Sequence, residues 1–227
     1  WAGRLIDNVV DKGECDFMAE VGSLFPVSIF MEMMGLPLDR LHEYRDVVVE
    51  YFGEVTPERW VELQQQISQF IKEVLDERKV EPKDDMCSLL QQDELNGRKL
   101  TYEELDALTN LLFQAGMDTV ANFAGFFFRF LGERPDLQKL LRENPDRVTD
   151  FVEEGFRMFG VVNNGRMLTE DREVGGLGLK AGEILITMLP LAGLDDRENP
   201  DPLHFDIDRK QRKHLLFSKG AHICIGN

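Results

Sequence analysis

The stretch FSKGAHICIGN, residues 217–227, decides how this chain is interpreted, because it places the last of three cysteines among glycines. Gly220 lies four residues before Cys224, and Gly226 lies two residues after it. Glycines allow a backbone to approach a bulky, flat group closely, and backbone N–H donors aimed at a sulfur stabilise its thiolate form. These residues alone leave three roles open for Cys224: a buried structural cysteine, a nucleophile, or a ligand of a soft metal.

The surroundings of the cysteine favour the ligand over the nucleophile. A cysteine hydrolase requires a histidine base and an orienting acid close in space. His222 is only two residues away, which is poor geometry for a base, whereas His204 and His214 stay open as candidates. A thiolate with hydrogen bonds to sulfur and an aromatic wall, here Phe217, is typical of a soft metal ligand.

Composition excludes several classes of function. The chain has 227 residues, of which 43% are hydrophobic and 30% charged, and its formal net charge is −16. Such a charge repels nucleic acid and anionic membranes, so we expect neither as a partner. No apolar run is long enough to cross a bilayer, and no signal peptide opens the chain. The cysteines, Cys15, Cys87 and Cys224, are far apart and form no CxxC pair, so a disulfide framework or structural zinc site is not expected and a cytoplasmic location is.

The hydrophobic patterns predict a protein that is mainly α with a small β part. Residues 1–159 are predicted to be mostly helical, and residues 160–227 to form hairpins and an irregular meander. The predicted helices are the opening residues, 26–34, 57–79, 84–94, about 101–131, and two that begin at Pro135 and Pro145. The predicted strands are Arg166–Thr169 and Glu183–Met188, with Gly175, Gly176 and Gly178 forming a turn rather than a dinucleotide loop. Because the chain opens with Trp1 inside a helical pattern, we expect it to be part of a longer protein.

The segment 101–131 is an unusually long predicted helix. Thr101 and Glu104 form a capping box at its start. Gly116 in its middle costs about 1 kcal/mol relative to alanine. Asp118 and Thr119 follow within an apolar stretch, where both are locally unfavourable. A threonine hydroxyl can donate to a carbonyl one turn earlier and bend the helix, so either a bent core helix or a functional acid–alcohol pair explains these residues.

The pattern Phe217-x-x-Gly220-x-x-x-Cys224-x-Gly226 matches every fixed position of the haem-binding signature of the cytochrome P-450 superfamily. The resemblance is greatest to the bacterial camphor hydroxylase branch, and it rests on MDTVANF, NGRMLT and GLDDREN, residues 117–123, 164–169 and 193–199. It implies the cytochrome P-450 fold, truncated at both ends, with residues 1–227 forming a partial domain that closes on the haem-binding loop.

The resemblance also implies a cofactor site. In this family the cysteine, here Cys224, is the axial thiolate on the iron of haem b, where it favours O–O cleavage. Thr119 would hold bound dioxygen and its waters, and Asp118 would relay protons from solvent. The other implied haem contacts are Phe217, Gly220 and Gly226 around the sulfur, with Arg166 and His222 on the propionates.

Two further groups are implied by kinship. Glu154 and Arg157, one helical turn apart, would form a buried structural pair completed by His204. Leu111, Gln114, Ala115, Val162 and Asn164 would line the substrate pocket. Because Gln114 and Asn164 depart from the residues of the camphor enzyme, a small hydrophobic and possibly terpenoid substrate is expected only by kinship, and camphor itself is not supported.

The resemblance predicts a monooxygenase that uses dioxygen. A run with no acidic residue, which includes Lys210, Arg212, Lys213 and Lys219 after Arg209, leads into the cysteine loop. Such a run would steer an acidic [2Fe–2S] ferredoxin served by an NAD(P)H reductase, although charge runs are usually only solvated. The alternatives are a peroxygenase, which the acid–alcohol pair disfavours, a haem sensor or carrier without turnover, and a chain that does not bind haem by itself.

Overall fold

The computed structural model describes every residue, Trp1–Asn227, and is mainly α with three small two-stranded sheets. It divides into two compact units, Trp1–Gly125 and Phe126–Asn227. The division falls inside the longest helix.

Nine α-helices form the frame. They are α1 (Ala2–Val10), α2 (Leu24–Met34), α3 (Leu41–Tyr51), α4 (Pro57–Val80), α5 (Met86–Gln92), α6 (Tyr102–Gly132), α7 (Pro135–Glu143), α8 (Val148–Met158) and α9 (Leu189–Gly193). Single turns of π-helix at Met18–Gly22 and of 3₁₀-helix at Leu38–Arg40, Pro145–Arg147 and Gly220–His222 complete the helical structure.

All strands pair as antiparallel ribbons. They are β1 (Glu94–Leu95), β2 (Arg98–Lys99), β3 (Asn164–Met167), β4 (Arg172–Val174), β5 (Leu177–Leu179) and β6 (Ile184–Thr187). β1 pairs with β2, β3 with β6 and β4 with β5. Gly175 and Gly176 both have positive φ in the turn between β4 and β5, so the predicted hairpin turn is confirmed.

The first unit has one hydrophobic core between α2, α3, α4, α5 and α6. α4 begins with Pro57 at its first position, and the Thr56 hydroxyl accepts the Arg59 N–H at 3.3 Å. Its buried stripe is the one predicted from sequence: Leu63, Ile67, Phe70, Ile71 and Val74. α2 ends at Gly35, whose φ of 77° allows the left-handed turn that stops the helix.

The N-terminus and the middle of α6 follow from their residues. The capping box is present: the Glu104 N–H donates to the Thr101 hydroxyl at 3.2 Å, and the Thr101 N–H donates to the Glu104 carboxylate at 2.8 Å. Gly116 lies against the ring of Phe30, so closely that a Cβ atom there would be 2.2 Å from Phe30 Cε2. The close approach of the ring explains a glycine in the middle of a helix.

The core of the second unit is aromatic. Phe151 of α8 stacks near Phe127 at 4.5 Å between ring centroids, and Phe205 lies 4.7 Å from Phe130. Gly155 on α8 leaves room for the Phe127 ring, because a Cβ atom there would be 2.3 Å from Phe127 Cε2. These contacts fix α8 and the irregular segment that contains Phe205.

Several predicted boundaries were wrong, and some elements were not predicted. The helix expected over 84–94 ends at Gln92, because residues 94–99 form the ribbon around the Asn96-Gly97 turn. Pro145 opens a 3₁₀ turn, and α8 begins only at Val148. Helices α3 and α9 were not anticipated. No helix is both long and apolar enough to cross a membrane.

Candidate functional site

The loop from Phe217 to Gly226 presents a cysteine at the surface. The loop reverses direction with positive φ at Ser218 and Gly220, and a 3₁₀ turn over Gly220–His222 follows. The Cys224 N–H donates to the Phe217 carbonyl at 2.8 Å, which closes the loop. The chain then bends at Gly226, where a Cβ atom would lie 3.8 Å from Cys224 Sγ. Cys224 is exposed and not disulfide-bonded, so its sulfur is accessible.

Phe217 anchors this loop to α8. Its ring meets Phe156 edge-to-face at 5.2 Å and His214 at 6.0 Å between centroids. The His214 Nδ1 accepts the Leu216 N–H at 3.3 Å, and burial lowers the pKa of His214. This histidine therefore acts as a neutral acceptor within its own turn.

The donor set fits a haem better than a bare metal ion. No group of three or more His, Cys, Asp or Glu side chains anywhere in Trp1–Asn227 could hold a metal ion. A metal held by Cys224 must therefore bring its other ligands, as a porphyrin does with its ring nitrogens, while a cysteine thiolate is a known axial ligand of haem iron. The other two cysteines differ from Cys224 in position or burial. Cys87 is buried, and Cys15 is exposed but lies outside the glycine-containing loop.

The residues predicted to bind propionates are both exposed. Arg166 lies on β3 opposite Leu185, and its Nη1 donates to the Gly165 carbonyl at 2.8 Å. His222 ends the 3₁₀ turn of the cysteine loop. Neither side chain is engaged in an ion pair, so the Arg166 guanidinium and the His222 imidazole are both accessible to an anion.

The acid–alcohol pair lies on α6, in the first unit. The Thr119 hydroxyl donates to the Ala115 carbonyl at 2.8 Å, which is the backbone hydrogen bond predicted from the sequence. The Asp118 carboxylate accepts from Asn122 Nδ2 at 2.7 Å. Burial raises the pKa of Asp118, and the hydrogen bond from Asn122 only partly opposes this. Asp118 is thus a carboxylate that takes up a proton more readily than a solvated one.

The predicted pocket residues have different environments. Leu111 is 59% exposed, and Ala115, one turn later, is exposed as well. Gln114 is half-buried and donates to Gln64 Oε1 on α4 at 3.1 Å, so its amide connects two helices, and its role as a pocket residue stays a prediction. Val162 and Asn164 are half-buried where the second unit enters β3.

Glu154 and Arg157 form the buried pair that the sequence predicted. Arg157 donates to both carboxylate oxygens of Glu154, at 2.9 and 2.8 Å, and both side chains are fully buried. Arg157 also donates to the carbonyls of Gly193 and Pro202 at 2.7 and 2.8 Å. Burial alone would raise the pKa of Glu154, but its hydrogen bonds outweigh burial and lower it. This pair therefore fixes the meander to α8.

The third member of this cluster is Arg209, not His204. Arg209 Nε lies 3.1 Å from Glu154 Oε1, and the Arg209 side chain is 9% exposed. His204 contributes only its main-chain carbonyl, which accepts from Arg157 and Arg209, while its side chain is exposed. A buried carboxylate is better compensated by a permanent guanidinium charge than by an imidazole, which explains the difference.

The basic run is largely neutralised within the fold. Arg212 Nε lies 3.7 Å from Glu154 Oε2 and the Arg212 side chain is only 16% exposed, so it does not belong to a surface patch as predicted. Lys213 pairs with Glu198 at 2.7 Å. Lys210 and Lys219 stay exposed without an ion pair. Of the four predicted patch residues, these two present unneutralised charge.

Sequence reasoning missed three polar residues of these groups: Asn122, Asn199 and Arg209. Asn122 lies four residues after Asp118, a spacing that indicates a helical side-chain pair. Arg209 opens the basic run, but nothing in its local pattern indicates a buried partner 55 residues earlier. Asn199 is buried in an irregular segment for which no periodicity predicts burial.

Comparison with known proteins agrees with these features. The sequence model of the family described as Cytochrome P450 matches residues 25–227. The chain is 31% identical over 233 residues to cytochrome P450 109 of Bacillus spizizenii, covering 98% of this chain and 58% of that protein. It is 33% identical to the nocardicin C N-oxygenase of Nocardia uniformis subsp. tsuyamanensis, with the same coverages.

A solved structure shows the same architecture. The crystal structure of CYP101J2 superposes with a TM-score of 0.89 at 32% identity, covering 99% of this chain and 56% of that one. The chain thus spans somewhat more than half the length of the relatives it matches. The family match, the fold and the cysteine loop lead to one conclusion: the chain belongs to the cytochrome P450 family.

Proposed function

We propose that the protein containing this chain is a haem-thiolate monooxygenase that hydroxylates a small hydrophobic substrate with dioxygen. The observation that carries the proposal is the loop Phe217–Gly226, which presents an accessible Cys224 sulfur within a cytochrome P450 fold. When bound, haem b supplies the iron chemistry that activates dioxygen, favoured by an axial thiolate.

The residues of the second unit would bind the haem. Cys224 would supply the thiolate, the Phe217 carbonyl holds the Cys224 N–H, and Gly226 leaves space beside the sulfur. The Arg166 guanidinium and the His222 imidazole are accessible hydrogen-bond donors suited to the two propionates, since a guanidinium pairs bidentately with a carboxylate. Buried Glu154 and Arg157 keep the preceding meander in place and have no part in the chemistry.

Asp118 and Thr119 would manage protons. Reduction of dioxygen to water consumes protons, and a hydroxyl beside a carboxylate would be a suitable donor set for them. Burial raises the pKa of Asp118, so this carboxyl would hold a proton more readily than a fully solvated one. Thr119 Oγ1 is held toward the Ala115 carbonyl, which fixes the orientation of the hydroxyl.

The substrate is proposed only as a small hydrophobic compound. Leu111 and Ala115 present an apolar surface on α6 in the first unit. Val162 is a half-buried apolar side chain of the second unit. The printed names of relatives range from a nocardicin C N-oxygenase to a steroid C26-monooxygenase of Mycolicibacterium smegmatis, so kinship at about one-third identity does not fix a substrate class. A terpenoid is the first compound class to test.

We further propose that a [2Fe–2S] ferredoxin with an NAD(P)H-dependent reductase supplies the electrons. Exposed Lys210 and Lys219 flank the approach to the cysteine loop in sequence and would attract an acidic partner. The cytosolic location expected from the cysteine pattern is consistent with such a system and stays a prediction.

The experiment is turnover of the haem-loaded holoprotein under ¹⁸O₂ with a ferredoxin and its reductase. Candidate substrates are first selected by the change they cause in the haem spin state, beginning with small terpenoids. Incorporation of one ¹⁸O atom per product molecule is the expected result. Haem binding and spin-state changes without product would indicate a sensor or carrier, and failure of these 227 residues to bind haem in a titration would show that this part does not act unaided.

A further inference from the structure

Asn199 is a fully buried polar side chain in an irregular segment. It ends a short turn in which its N–H donates to the Asp195 carbonyl at 2.8 Å, and Pro200 follows. A buried amide costs free energy unless its donors and acceptor are paired. Its partners are therefore the first indication of what this residue does.

The amide of Asn199 pairs with both main-chain groups of one residue. Nδ2 donates to the Lys213 carbonyl at 2.8 Å, and Oδ1 accepts the Lys213 N–H at 3.1 Å. Nδ2 also donates to the Gly193 carbonyl at 3.2 Å. Both amide donors and the amide acceptor of Asn199 are thus used. The two hydrogen bonds to the N–H and the carbonyl of Lys213 have the same pattern as those between neighbouring antiparallel β-strands.

Gly193 connects this arrangement to the buried ion pair. Its carbonyl also accepts from Arg157 Nη1 at 2.7 Å. Its backbone lies directly against α8, since a Cβ atom at Gly193 would be 1.9 Å from the Arg157 carbonyl oxygen. Asn199 is therefore connected, through the shared Gly193 carbonyl, to the fully buried Glu154–Arg157 pair.

The segment that Asn199 holds leads directly to the cysteine loop. Between Lys210 and His214, the Asn199 amide makes the only hydrogen bonds to main-chain groups. His214 then contacts Phe217, whose carbonyl accepts the Cys224 N–H. A displacement of the Lys213 main chain would therefore displace His214 and Phe217, and with them the Cys224 sulfur.

We propose that Asn199 is a positioning residue for the Cys224 thiolate: its buried amide fixes the main chain at Lys213 and thereby the segment that delivers the cysteine loop. The inference rests on the proposed function, because it assumes that Cys224 is the axial ligand. The role requires an amide. Aspartate has the same shape but lacks the donors for the Lys213 and Gly193 carbonyls. Alanine leaves the N–H and the carbonyl of Lys213 without a partner, while the Gly193 carbonyl keeps Arg157.

The test compares Asn199→Ala, Asn199→Asp and Asn199→Ser with the wild-type haem-loaded holoprotein. The readouts are the reduced, CO-bound spectrum and the rate of haem loss to excess apomyoglobin, both at temperatures where circular dichroism shows equal folded fractions. We expect part of the thiolate-type band to be replaced by the non-thiolate band and haem loss to accelerate about tenfold in the alanine and aspartate variants. The serine variant, with a shorter donor and acceptor, should fall between them and wild type, and it provides the test if the other two do not fold.

Glu198→Gln is the matched control. It removes the ion pair of the neighbouring side chain with Lys213 and leaves the main-chain pairing intact, so its spectrum and haem loss should match wild type. Folded Asn199 variants with an unchanged CO spectrum and unchanged haem loss would overturn the inference alone. A wild-type holoprotein without the thiolate band would instead overturn the proposed function, and this inference with it.

Discussion

At the scale of single residues, Asp118 combines a structural cost with a proposed chemical use. It lies half-buried on α6, and Asn122 is its hydrogen-bond partner. Burial without a cationic partner disfavours the charged form, which is why its pKa is raised. Residues that destabilise a fold locally are often those that function requires.

The substitution Asp118→Asn tests both the stability cost of this carboxylate and its proposed role in turnover. The pKa of Asp118 is higher in the folded than in the unfolded state, so the free energy of unfolding falls as pH rises from the unfolded pKa to the folded pKa. The ionised carboxylate therefore destabilises the fold at pH 7. We expect the variant to unfold in urea at an equal or higher concentration than wild type at pH 7, with the difference vanishing below the unfolded pKa. Product formation should nevertheless slow.

Asp196→Asn, at an exposed site, serves as the control and should change neither property. A variant at position 118 that lost stability at pH 7 and kept full turnover would contradict this account of Asp118.

At the scale of elements, the sequence predicted the features that follow from a regular spacing of residues. It did not predict the features that depend on contacts between residues far apart in the chain. The buried stripe of α4 and the capping box of α6 follow from local spacing, and both are present. Helix α9 and the pairing of Glu154 with Arg209 could not be read from spacing, because both depend on contacts between α8 and residues far along the chain. The hydrogen bond between Gln114 and Gln64 was not predicted for the same reason, since the two residues lie 50 positions apart.

Gly116→Ala should destabilise the fold, although alanine is the better helix former. A Cβ atom would be 2.2 Å from the Phe30 ring, and overpacking of this kind costs about 1–3 kcal/mol. Thermal or urea unfolding measures the loss, and a second substitution, Phe30→Leu, should restore part of it.

Gly132→Ala on the same helix is the matched control, because nothing lies within 4 Å of a Cβ atom there. It should be neutral or slightly stabilising. Equal effects at both glycines would show that the Phe30 contact does not explain Gly116.

Glu154→Gln should cost about 3–5 kcal/mol at neutral pH, because it leaves buried guanidinium groups without their anion. The pKa of Glu154 is lowered in the folded state, so its stabilisation is present above the unfolded value near 4.5 and is lost as pH falls through the folded value. The difference in unfolding free energy between wild type and variant should therefore shrink in acid.

Glu153→Gln, on the adjacent exposed residue, should show no such loss. A difference for Glu154→Gln that stayed constant down to pH 3 would contradict the ion-pair explanation.

At the scale of the whole molecule, the net charge of −16 contrasts with the few basic groups left exposed near the cysteine loop in sequence. The fold uses Arg209 and Arg212 internally and neutralises Lys213 with Glu198. The number of basic residues in this run is therefore larger than the number of unpaired positive charges exposed to a partner protein. The family, by contrast, was readable from sequence alone, because the loop that carries Cys224 is contiguous.

Charge reversal of Lys210 and Lys219 together should slow reduction by a ferredoxin severalfold at low salt and flatten the salt dependence of the rate. Stopped-flow reduction of the holoprotein measures both. Lys139→Glu on α7 makes the same kind of charge change at an exposed site and should leave the rate nearly unchanged. An unchanged rate and salt dependence in the double variant would contradict the proposed docking residues.

The central claim is that Cys224 is the axial ligand of a haem. The most direct measurement is the reduced, CO-bound absorption spectrum of the haem-loaded holoprotein, recorded for wild type, Cys224→Ser and Cys15→Ser. The account predicts a thiolate-type Soret band in wild type and in Cys15→Ser, and its disappearance in Cys224→Ser. A wild-type protein without that band, or a Cys224→Ser variant that retained it, would contradict the account.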